Sequence, residues 1–205
     1  MNDRPTRQWD SVSLCENRLP LGREMKGPVE VRPSEQAFSL GTTIKLTLLA
    51  WLSMIGLDFF LHAGVLAFLY VEPSPFLLPP ERAFALIPVG YLSFLGLAIL
   101  LIWLMARLGI QGWRQGAVFG LKLGALTWGA LVLGLLSIST ASPALLIGWF
   151  LGQTTELGVA GMVAGSGFTG VRQGRLFLKV VASVIGAFAV TILLQMLGLA
   201  PAEMR

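Results

Sequence analysis

The chain has 205 residues, 55% of them hydrophobic and 13% charged, with a mean hydropathy of +0.74. That balance lies outside the range of soluble globular domains and points to an integral membrane protein. The net charge of +4 does not make it a nucleic-acid binder, because no basic stripe or aromatic stacking motif accompanies the charge.

Charge is concentrated at the start. Residues 1–45 hold seven of the fifteen Lys and Arg and six of the eleven Asp and Glu. Residues 1–42 mix Arg, Glu, Pro, Ser and Asn without periodicity, and PVEVRPSEQ (28–36) has too little apolar surface to order itself. This segment is predicted to be a flexible cytoplasmic tail. Its cysteine, Cys15, is the only one in the chain, so no intrachain disulfide can form. VSLC (12–15) lacks the apolar stretch that a lipoprotein signal needs, and no cleavable signal peptide is read.

Residues 43–201 form the predicted transmembrane domain. A helix needs roughly 20 apolar residues to cross a hydrocarbon core, and stretches of that length recur at about 44–70, 84–106, 117–138, 143–168 and 176–199. The expected fold is an all-α polytopic transmembrane helical bundle of about five spans. Breakers fall between the spans: VEPSPFLLPPERA (71–83) carries four prolines, STASP (139–143) makes a tight turn, and Pro201 follows the last span. Lys and Arg gather in the tail, at Arg107 and Arg114, and at Arg172, Arg175 and Lys179, while the other side carries only Arg82 and Arg205. By the positive-inside rule the N-terminus is cytoplasmic and the C-terminus outside. Short echoes, such as WRQGAVFGLK (113–122) against VRQGRLFLK (171–179), are better explained by shared boundary chemistry than by a duplicated hairpin.

Within the spans, Lys45, Lys122 and Lys179 lie near cytoplasmic ends, where a lysine stem can snorkel to the interface, and they read as anchors. Asp58 has no such exit, being about 20 Å along the helix from Lys45 at 1.5 Å per residue. Glu156 is similarly deep, about 20 Å from Pro143. His62, the only histidine, overlies Asp58 one turn later, and Gln153 lies one turn from Glu156. Asp58, His62, Gln153, Thr154 and Glu156 are therefore expected to form one buried polar cluster between the first and fourth spans. Ionisable groups inside a bilayer usually face a bundle interior or a wet cavity. An apolar surround disfavours ionised carboxyls, so such a set is suited to binding and releasing a proton. The competing reading is structural, with these groups hydrogen-bonding across a helix interface. One histidine with two carboxylates makes a thin ligand set, and neither a metal nor a cofactor is predicted.

Glycines four apart, at Gly116, Gly120 and Gly124 and at Gly161 and Gly165, allow close backbone approach. They predict that the third and fourth spans pack on each other or on another subunit. Trp113 and Tyr70 fall near predicted interfaces, whereas Trp51, Trp103, Trp128 and Trp149 sit further in. No P-loop, nucleophile elbow, HExxH or paired-cysteine signature occurs, and no enzyme is predicted.

LDFFLHAG (57–64), PSPFLLPPERAF (73–84), IPVGYLSF (87–94) and STASPALLIGWFLGQTTELGVAG (139–161) together resemble small bacterial polytopic integral membrane proteins that have no assigned activity. The resemblance covers about residues 45–170 and implies a bacterial inner-membrane location. Two functions follow as expectations. The first is a non-catalytic membrane subunit or packing and assembly protein, with the lipid bilayer as its setting and a homo-oligomer or membrane complex as its assembly. The second is a small proton- or cation-handling transport unit using Asp58 and Glu156, with His62 tuning Asp58. The discriminator is whether the carboxylates converge on a cavity or are capped by neighbours.

Overall fold

The computed structural model describes residues 39–71 and 75–201. The tail expected over 1–42 lies outside the described residues up to residue 38, as do Cys15 and Arg205. Its last residues, 40–42, already belong to the first helix, because Ser39 caps that helix by accepting from the Thr42 N–H at 3.3 Å.

Five long helices follow one another: α1 (Leu40–Phe60), α2 (Pro80–Leu108), α3 (Trp113–Ile138), α4 (Pro143–Phe168) and α5 (Gln173–Met196). No strand occurs among the described residues. The all-α bundle is as expected, with α3 starting four residues earlier than read and α5 ending three sooner. Local chemistry sets several ends. Pro80 and Pro143 occupy first-turn positions, where a missing N–H costs nothing. Ser142 caps α4 by accepting from the Leu145 N–H at 3.3 Å. Gly109 stops α2 in the left-handed region at φ 65°, which a residue with a Cβ rarely adopts.

Packing pairs give the helix directions. Gly116 meets Gly161 and Gly124 meets Thr154, so α3 and α4 are antiparallel. Gly167 meets Leu46 and Gly148 meets Leu69, so α4 also runs antiparallel to α1 and its continuation. Gly56 meets Val184 and Phe59 stacks on Phe188, so α1 and α5 are parallel. An added Cβ at Gly116 would collide with the Gly161 carbonyl, and one at Gly120 with the Leu157 carbonyl. The Gly112 N–H even donates across the interface to the Gly165 carbonyl at 2.9 Å. The two glycine stripes thus face each other within one chain.

Among the described residues, four helices are long and apolar enough to cross a membrane: Leu40–Val65, Arg82–Leu108, Trp113–Ile138 and Gln173–Met196. By length and composition this is a membrane protein. α4 is not among them, because Gln153, Thr154, Thr155, Glu156 and six glycines dilute its 26 residues. It is instead the interior helix, with 15 buried residues. The core is built from Leu46, Ala50 and Met54 of α1, Leu101, Ile102 and Met105 of α2, and Leu157, Ala160 and Ala164 of α4.

Candidate functional site at the junction of α1 and α4

The sequence predicts one helix running to residue 70. The chain instead changes pitch twice after Phe60. Leu61–Val65 form a π turn, in which the Leu66 N–H donates to the Leu61 carbonyl at 2.6 Å, and Ala67–Tyr70 form a 3-10 turn. A π turn disturbs the regular ladder of backbone bonds and needs outside support. Here α5 supplies some of it: the Gln195 Nε2 donates to the Ala63 carbonyl at 3.0 Å, and Thr191 and Leu194 pack at Gly64. Parallel packing of α5, anchored by the Phe59 and Phe188 rings stacked 4.1 Å apart, holds the distortion in place.

The π turn carries His62. Its Nε2 lies 3.7 Å from Asp58 Oδ1 and 3.8 Å from Glu156 Oε1. One ligand-type atom from each of Asp58, His62 and Glu156 falls within 4.8 Å of the others. The two imidazole distances exceed a hydrogen bond, so the three groups surround a point without bonding to one another. Glu156 is fully buried, while Asp58 and His62 are partly buried, at 18% and 14% exposure. Both Glu156 oxygens, Gln153 Oε1 and His62 Nε2 are buried without a hydrogen-bond partner. Leaving such groups unpaired is costly in an apolar interior.

The other imidazole nitrogen is firmly held. Nδ1 shares a 2.6 Å hydrogen bond with the Tyr70 hydroxyl, and Trp149 Nε1 donates to that same oxygen at 2.7 Å. Gly152 makes room for the ring, since a Cβ there would stand 3.1 Å from His62 Nε2. The imidazole is therefore fixed in orientation, with Nε2 turned towards the carboxylates.

Asp58 and His62 also line a cavity of about 720 Å³ between α1, α2 and the end of α5, together with Phe84, Tyr91, Gln195 and Pro201. Pro88 lies inside α2 and cannot donate to the Phe84 carbonyl four residues back, which loosens the helix beside this cavity. Glu156 does not line the cavity and reaches it only through its neighbour His62, 3.8 Å away.

Of the five expected cluster residues, the structure gathers Asp58, His62 and Glu156, and Gln153 reaches the Asp58 carboxylate through its side chain. Thr154 does not join them. It packs against Gly124 of α3, and its hydroxyl is buried without a partner. Lys45, Lys122 and Lys179 are all exposed, although the earlier start of α3 puts Lys122 about 14 Å along that helix. Sequence reasoning missed Tyr70, Trp149 and Gly152 as site residues. The pair Gly148 and Gly152, four apart on the α4 face that receives α1, was the available signal. The set first judged too thin for a metal is gathered round one point. Comparison with family models, curated proteins and solved structures returns no match.

Proposed function

We propose that this chain is a small membrane-embedded cation-handling unit that binds a proton or small cation between Asp58 and Glu156. One observation carries the reading: the two carboxylates and His62 converge within 4.8 Å, and Asp58 and His62 open onto a cavity. Two like charges that close repel strongly where the dielectric is low, and a cation between them offsets that cost. The alternative role, as a non-catalytic subunit packing through its glycines, draws less support because both stripes are used within the chain.

The test is ion flux into proteoliposomes holding the full chain, with pH-sensitive and cation-sensitive dyes inside. Wild type should conduct, and Asp58→Asn and Glu156→Gln should each lose at least about tenfold of the flux while melting as wild type does. Variants that conduct like wild type would remove the carboxylates from the pathway. A wild-type chain silent towards protons and towards monovalent and divalent cations would return the subunit reading to first place.

The same proposal sets the protein in a bacterial inner membrane, N-terminus cytoplasmic and C-terminus outside, supported by the placement of Lys and Arg. Cys15 is the only cysteine and reports on this directly. A membrane-impermeant maleimide should label it only after the cells are permeabilised, and labelling of intact cells would invert the topology.

A further inference from the structure

We propose that Asp58, His62 and Glu156 form a binding site for a divalent transition-metal cation of the Zn²⁺, Mn²⁺ or Fe²⁺ class. This rests on the reading that the triad holds a cation, and it narrows which cation. Four observations carry it.

The first is spacing. Nε2 stands 3.7 and 3.8 Å from the two carboxylate oxygens, and ligands on metal bonds of about 2.0–2.2 Å at near-tetrahedral angles lie about 3.3–3.6 Å apart. Closing on an ion takes movements of a few tenths of an ångström at the ring. Asp58 and Glu156, within 4.8 Å of each other, draw in somewhat further.

The second is the buried Glu156. A fully buried carboxylate with both oxygens unpartnered, one of them turned to the imidazole, is a ligand without its counter-charge. Gln153 adds a third unpartnered buried oxygen beside the triad.

The third is the support behind the ring. Histidine ligands commonly donate their second nitrogen to an outer partner, which fixes tautomer and orientation. Tyr70, itself fixed by Trp149, is that partner. With Nδ1–H donated to the phenol oxygen, the Nε2 lone pair faces the carboxylates.

The fourth is charge and access. Two carboxylates and one M²⁺ sum to zero, which lowers the cost of keeping all three inside a bilayer. Three protein ligands leave a coordination position free, and Asp58 and His62 front the cavity through which a fourth ligand can arrive. The imidazole nitrogen argues against Ca²⁺ and Mg²⁺, which prefer oxygen ligands, and the absence of a sulfur ligand in the triad argues against Cu⁺.

The experiment uses the full chain in nanodiscs, purified without a histidine tag, with Co²⁺ as the spectroscopic probe and Zn²⁺ as competitor. Expected is one Co²⁺ per chain with visible d–d absorption, displaced by Zn²⁺ and not by Mg²⁺ or Ca²⁺. His62→Ala and Glu156→Gln should weaken binding at least about 100-fold, and Tyr70→Phe, which keeps every ligand, about 10-fold. Zn²⁺ should raise the melting temperature of wild type and leave that of His62→Ala unchanged. Helicity measured without metal shows whether each variant is folded, and Tyr70→Phe carries the test if a ligand variant is not. Absence of binding, or binding that the variants do not change, overturns the inference. If binding fails while proton flux persists and depends on Asp58 and Glu156, only the metal is wrong. If both fail, the cation reading falls with it.

Discussion

α3 and α4 have the same length, 26 residues each, and lie against each other along an unbroken glycine seam, yet they are opposite kinds of helix. In α3 the fully buried residues are Gly116, Gly120 and Gly124 and nothing else, while Phe119, Leu123 and Trp128 reach the core only with part of their side chains. In α4 there are 15 buried residues, including Gln153 and Glu156. The difference shows what hydropathy measures. Lipid contact demands apolar side chains, and an interior helix is released from that demand, so α4 can hold polar groups that lipid would reject. The helix whose composition fits a bilayer least well is the one that brings Gln153 and Glu156 to the site.

The contrast can be broken most forcefully at the seam. Gly161→Ala pushes a Cβ into the Gly116 carbonyl, whereas an alanine at Gly134 of α3 meets nothing within 4 Å. The first should cost about 3 kcal/mol or more through forced backbone displacement. The second should be neutral or stabilise by up to about 1 kcal/mol, because glycine is a poor helix former. Thermal unfolding in detergent, followed by circular dichroism, compares the two. Equal stabilities would mean that α3 and α4 do not meet as described.

A change at Glu156 sharpens the same comparison with a smaller effect on stability. If α4 keeps this carboxyl for function and not for packing, Glu156→Leu should leave the fold unchanged or stabilise it by about 1–3 kcal/mol, since an unpartnered buried polar group gives way to an apolar side chain of similar size. Cation flux should vanish in the same variant. A loss of stability beyond about 2 kcal/mol would show that the carboxyl holds helices together. The gentlest probe is Gly152→Ala, where the added methyl stands 3.1 Å from His62 Nε2. The ring must yield by a few tenths of an ångström, so Co²⁺ affinity should fall about tenfold with less than about 1 kcal/mol lost from the fold. Unchanged affinity would mean that the ring position is not critical.

Much of this was legible from residue order because helix boundaries and lipid-facing stretches are local properties. Ser142 with Pro143 announces α4, and the glycine spacing announces the α3–α4 contact. Asp58, His62 and Glu156 stood out because ionisable residues are expensive where they lie. The departures were tertiary. The π turn at Leu61–Val65 depends on what α5 offers to Ala63 and Gly64, and no local pattern in LHAGV specifies it. Tyr70 and Trp149 read as aromatic position markers because residues 79 apart in sequence give no sign that they will share a hydrogen bond. Thr154 was grouped with its neighbours by proximity in sequence, although two residues further along a helix than Gly152 is about 200° around it.

The break in pitch after Phe60 has a consequence for how this end of the molecule tolerates change. In an uninterrupted α-helix, eight residues advance about 12 Å and end about 80° out of phase, too far for Tyr70 to close a 2.6 Å bond on His62. Across the π turn and the 3-10 turn the phenol nevertheless closes on the imidazole, with the two rings edge-on and their centroids 5.9 Å apart. An i→i+5 turn holds one residue more than the α turn it replaces, and that extra residue acts as a phase insertion. Deleting Ala63 or Gly64 would leave every ligand and every packing partner outside the turn in the sequence, yet rotate Tyr70 away from the ring that it orients. At this point the spacing of the chain, as much as the identity of its side chains, is what evolution has to preserve.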